Sequence, residues 1–237
     1  MVSIAKFIKF HFVNLFNWQI ITCAAVLLLH LLISVGVIHM VNTPGPAGVN
    51  DIIVICWMLI MGLVIFTPSF KYMLSQGVSR KRYFMAMGLN LVILAAIFAL
   101  LSAVFYIITQ QVANVWMIYE LIYNNQNFLG IVFWEFGILL LMGLLAWLIR
   151  LVYFISGVKA KILVTVIPFV LASLLLLINP LLDGAIGSGL LQFLKAAMGL
   201  PSTAASPYIG MASMLAASVI IGCPIYLLLR RAQVNNG

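Results

Sequence analysis

The sequence predicts an all-α fold: a polytopic membrane protein of six transmembrane helices, with an N-terminal interfacial amphipathic helix and both termini in the cytoplasm. Three observations carry this. Of 237 residues, 65% are hydrophobic and 7% charged, where a soluble domain carries about a quarter charged residues. The apolar residues gather into six long runs, and the basic residues fall almost entirely on one side of them. Such a chain cannot close a water-soluble surface, and hydrocarbon offers no partner to an open strand edge, so the spans are helices. A single membrane domain, 1–237, accounts for the length, since neither a fixed-period repeat nor a low-complexity linker divides it.

The first element covers 1–17. Ile4, Phe7, Ile8, Phe12, Leu15 and Phe16 recur near helical spacing with Lys6, Lys9, Asn14 and Asn17 between them, the pattern of a helix lying along a membrane surface. Span one follows at 18–41; it is too long for a signal-peptide core and lacks a clear small-residue cleavage site, so it is expected to be retained. Spans two to six occupy 52–66, 84–108, 128–149, 162–178 and 208–229, each able to cross with help from flanking residues. Pro168 and Pro224 are expected to kink spans five and six. Of the twelve basic residues only Lys195 falls on the outer side. This asymmetry puts the other basic loops and both termini inside and leaves Asp51, Glu120 and Asp183 outside.

Two connecting segments carry structure of their own. In the cytoplasmic loop 67–83, Thr67 can cap a short separate helix, Pro68 suits its first position, and Gly77 can supply the left-handed residue that ends it. Phe70, Met73 and Leu74 then share one face, and Ser79 can cap span three. Arg80, Lys81 and Arg82 oppose the macrodipole there by about 0.3–1 kcal/mol each, offset by topology and by anionic headgroups worth about 1 kcal/mol per charge. The segment 179–207 is too long for a hairpin and too apolar for a solvated loop, with Leu190, Leu191, Phe193, Leu194, Met198 and Leu200. It is expected to be an extracellular or re-entrant helical segment.

Composition also excludes whole classes of function. The formal net charge of +8 is accounted for by topology, so no nucleic-acid partner is expected. Cys23, Cys56 and Cys223 lie in apolar runs without a CxxC pair and are expected to be buried thiols rather than metal or redox groups. The three histidines, His11, His30 and His39, form no HExxH, and the four acids are scattered. No catalytic set and no metal site can be named, and the chain is not expected to be an enzyme. Without a GxxxxGK[ST] loop it does not bind and hydrolyse ATP by that route. Glu135 is the one acid inside a span. At a cost of roughly 2.5–3.5 kcal/mol near a bilayer centre, it has to face protein or water. It is either a polar element of a transport path or proton site, or a hydrogen-bonded interhelical contact.

Taken together, these segments resemble the compact six-span permease subunits of bacterial ABC exporters, of the type-2 membrane class. The resemblance covers essentially the whole chain. Its most specific piece is SFKYMLSQGVSRKRYF, with Gly77, Val78, Ser79, Arg80 and Lys81 matching a G-[VMI]-[ST]-R-[KR] run. It implies a multi-pass protein of the bacterial cytoplasmic membrane, paired with a second permease, identical or homologous, and driven by separate cytoplasmic ABC ATPase subunits. No cofactor belongs to this chain; ATP and Mg are held by the partner ATPase. By position Phe70, Lys71, Leu74, Gln76 and Gly77 inherit the role of a coupling helix seated in the ATPase, with Val78 and Ser79 in the motif and Arg80 and Arg82 flanking it. Phe- and Met-rich spans with few charges suit hydrophobic or amphipathic cargo such as a peptide, bacteriocin, drug or lipid. The alternatives are a proton-coupled secondary transporter using Glu135 and a non-transporting immunity or sensor subunit.

Overall fold

Long apolar runs with no water to bond their backbones fold as helices, and among the described residues the computed structural model has four helices long and apolar enough to cross a membrane. It describes residues 50–112, 117–124, 127–157, 185–200 and 206–232, with isolated positions between 21 and 28 and between 161 and 173. Among the described residues the continuous helices, in chain order, are α1 (Asn50–Ser75), α2 (Arg80–Val112), α3 (Ile118–Tyr123), α4 (Phe128–Ile155), α5 (Ala185–Ala197) and α6 (Pro207–Arg231). The four long ones, α1, α2, α4 and α6, are the membrane-spanning candidates, with mean hydropathies of 2.4, 2.9, 2.4 and 2.1. The interfacial helix 1–17, Cys23, Pro168 and Asp183 lie outside the described residues, as do spans one and five apart from those isolated positions.

The helix α4 is the hub, packing against α1, α2, α3 and α6. Its approach to α1 is set by small residues: a Cβ on Gly62 would meet the Gly143 carbonyl and the Ala146 Cβ at 2.6 Å, so the backbones touch where a side chain would hold them apart. Two apolar clusters result. One, toward the Ser75–Arg80 turn, contains Phe66, Phe70, Tyr83, Trp147, Leu151 and Leu229. The other, at the opposite end, contains Tyr106, Met117, Tyr119, Tyr123, Trp134 and Met214.

The expected break at Thr67 and Pro68 does not occur, because α1 runs unbroken from Asn50 to Ser75. Continuing the helix keeps Phe66, Phe70 and Met73 in register on one buried face, a larger gain than a separate surface helix offers. The missing Pro68 amide costs one internal bond, which membrane helices accept. The cysteine expectation also needs correcting. Cys56 and Cys223 lie exposed on the outer surfaces of α1 and α6 as free thiols, where an apolar sulfur is suited to lipid. In 179–207 the chain forms α5, closed by Gly199 at φ 67 with Leu200 N–H donating to the Lys195 carbonyl at 2.8 Å. The internal Pro224 lies within α6.

Candidate functional site

Two arrangements stand out, one at each end of the bundle. At the first, α1 ends in a Schellman turn: Gly77, at φ 73, donates to the Leu74 carbonyl at 3.0 Å and Val78 to that of Met73 at 3.1 Å. A left-handed residue is needed there, and glycine adopts that conformation without a Cβ penalty. Ser79 then caps α2, its hydroxyl accepting from the Arg82 amide at 3.4 Å. Below the turn the Ser69 hydroxyl donates to the Ile65 carbonyl at 2.7 Å and lies 2.8 Å from the Tyr83 hydroxyl. The ring of Phe70 stacks on Phe66 and meets Tyr83 and Phe154 edge-on, with centroids 5.1, 5.2 and 5.7 Å away. Arg80 donates to the carbonyl of Arg230, tying the turn to the end of α6.

Lys71, Gln76, Gly77, Ser79 and Lys81 are therefore exposed on a stiff tip, with Leu74, Val78, Arg80 and Arg82 half-buried around it. Phe70, by contrast, is fully buried and anchors the tip rather than presenting itself to a partner. Lys71, Arg80, Lys81 and Arg82 share this end with Arg230 and Arg231, making it a basic surface suited to anionic headgroups or an acidic protein face.

The second arrangement surrounds Glu135, which is 1% exposed and faces protein. Its carboxyl adjoins the Ser102 hydroxyl and the carboxyl of Asp51, itself fully buried. Asp51 Oδ2 accepts the Ile118 amide at 2.7 Å, so the first turn of α1 holds the start of α3. From α2 the Tyr106 hydroxyl donates to Glu120 Oε2 at 2.6 Å and accepts from Gln110. The Tyr123 hydroxyl donates to the Met198 carbonyl at 2.7 Å, fixing the residue after α5 over the same end. Burial pushes the Tyr119 and Tyr123 phenols above their ordinary range, so both remain neutral. Asp51 Oδ1 and both Glu135 oxygens have no hydrogen-bond partner among the described residues.

Glu135 is thus where the sequence points, but its neighbours Asp51 and Ser102, with Tyr106 and Glu120 at the same end, are not singled out by the sequence. The available signal was topological: Asp51 and Glu120 lie at the membrane level toward which Glu135 is displaced, and acids at one level can converge. Comparison with protein-family models, with curated proteins and with solved structures found no match.

Proposed function

We propose that the chain is the membrane-spanning permease subunit of an ATP-driven exporter in the bacterial cytoplasmic membrane. It works with separate cytoplasmic ABC ATPase subunits and a second permease, identical or homologous. One observation carries the reading: the α1–α2 turn is a basic, solvent-facing tip, yet it is locked to the bundle through Phe70, Tyr83 and the Arg80–Arg230 contact. A lever that passes a partner's motion to a membrane bundle has to be stiff and joined to more than one helix, and this one meets both conditions. Six spans, the interfacial helix 1–17 and cytoplasmic termini belong to the same reading. ATP with Mg, held by the partner, closes the ATPase pair and shifts the spans toward an outward-open state, which requires differential contacts at the tip in the two states. The cargo is hydrophobic or amphipathic, in keeping with Phe- and Met-rich spans.

The test is purification from native membranes in mild detergent, with mass spectrometry and an ATPase assay. A copurifying ATP-binding subunit that is lost in Gln76→Glu together with Gly77→Asp supports the reading. Failure to recover such a subunit even after crosslinking refutes it.

A second reading, a proton-coupled secondary transporter, is favoured by the buried meeting of Glu135 and Asp51. It requires substrate flux that persists without ATP and disappears in Glu135→Gln.

A further inference from the structure

Three carboxyl oxygens, Asp51 Oδ1 and Glu135 Oε1 and Oε2, are buried without a hydrogen-bond partner among the described residues, although the two carboxyls adjoin. Two carboxylates in a low-dielectric site repel, and each left unpaired also loses its hydration. Among the described residues the neighbouring groups offer no countercharge. Ser102 on α2 and the Ile118 and Tyr119 backbone on α3 adjoin the pair, Tyr106 on α2 acts on Asp51 and is bonded in turn to Glu120 and Gln110, and beyond Tyr119 lie Tyr123 and Tyr208. All are neutral or acidic. No basic side chain among the described residues acts on either carboxyl. A metal ion fits poorly, since the described residues bring together no group of three or more His, Cys, Asp or Glu, and calcium or magnesium requires about six oxygen ligands. A hydrogen ion needs only two facing oxygens, removes one charge and turns the contact into a strong O–H···O bond.

We propose that Asp51 and Glu135 form a proton-binding site, with one hydrogen ion shared between the two carboxyls beside the Ser102 hydroxyl. Asp51 Oδ2 keeps the Ile118 amide whether the proton is bound or not, so uptake and release take place between Asp51 Oδ1 and Glu135. With the proton bound, the start of α1 is held to α4 beneath α3. With the proton gone, two negative charges face each other and this end of the bundle is pushed open. The site is independent of the exporter reading and deepens the carrier reading, whose own test is ATP-independent flux rather than the presence of a bound proton.

Infrared spectroscopy of the full-length protein in lipid nanodiscs tests this, read at the C=O stretch of protonated carboxyls. The chain has four carboxyl side chains, so each can be replaced in turn. The wild type is expected to show a protonated-carboxyl band at neutral pH. Asp51→Asn and Glu135→Gln should each shift it, the double variant should lose it, and Glu120→Gln and Asp183→Asn should leave it unchanged. If the double variant does not fold, the shift in Asp51→Asn decides the matter. No band in the wild type at neutral pH overturns the proposal, as does a band that persists in the double variant or is unmoved by Asp51→Asn. Loss of the wild-type band on adding sodium at fixed pH would put a metal cation in place of the proton and also overturn it.

Discussion

The Tyr83 hydroxyl lies 2.8 Å from that of Ser69, fourteen residues earlier and across the α1–α2 turn, and the same phenol reaches the Phe66 carbonyl at 3.3 Å. This joins the two helices just below the exposed tip. Tyr83→Phe keeps the ring against Phe70 but removes the donor, and should destabilise the protein by about 1 kcal/mol. A fall in the thermal unfolding midpoint of the detergent-solubilised protein, with unchanged helix content, is the expected result.

The contact between α1 and α4 depends on the absence of a side chain. Gly62→Ala would drive a Cβ to 2.6 Å from the Gly143 carbonyl. Forcing the helices apart should cost about 1–3 kcal/mol. Gly88→Ala, with nothing within 4 Å of its Cβ, should be neutral or stabilise by up to about 1 kcal/mol. Unfolding midpoints of the two variants should therefore move in opposite directions or differ clearly in size.

At the tip, the space around a Gly77 Cβ is open, so only the backbone conformation resists substitution. Gly77→Ala should cost about 1 kcal/mol through its positive φ, and Gly77→Asn less. Loss of ATPase association in Gly77→Asn without loss of thermal stability would separate docking from folding.

Tyr123 joins α3 to the end of α5 through the Met198 carbonyl. Removing that hydroxyl in Tyr123→Phe should destabilise by about 1 kcal/mol and expose 198–200 to faster amide exchange. The pH dependence has a definite sign. Burial raises the folded-state value of this phenol above its ordinary 10.0, so its contribution is complete below that pH and is lost as pH rises toward the folded value. Tyr123→Phe should therefore show less alkaline destabilisation than the wild type, measured by pH-dependent thermal melts.

Much of the architecture is legible in the sequence because lipid leaves few choices. The apolar runs at 52–66, 84–108, 128–149 and 208–229 all lie within long helices, and Gly77 and Ser79 end and start helices as their chemistry suggests. Local punctuation misled at Thr67 and Pro68, where the i, i+4, i+7 face of Phe66, Phe70 and Met73 outweighs a proline that would break an isolated helix. The resemblance places Phe70 in a coupling helix, whereas its side chain is fully buried in the aromatic cluster. The polar end was only half legible. Glu135 is conspicuous in an apolar span, but its pairing with Asp51, 84 positions away by number, depends on how α1 packs on α4, and that is decided by Gly62 and Gly143 rather than by either acid.

Photo-crosslinking from the tip tests the central claim most directly. A photoreactive amino acid placed at Gln76, exposed beside the Schellman glycine, should capture a P-loop ATPase subunit in native membranes, and capture should change when ATP is bound. The same probe at Leu227, exposed midway along α6 toward its end, should capture lipid or a second permease instead. If Gln76 yields no ATP-binding protein while Leu227 still crosslinks in the same membranes, the tip is not an ATPase lever and the exporter assignment is wrong.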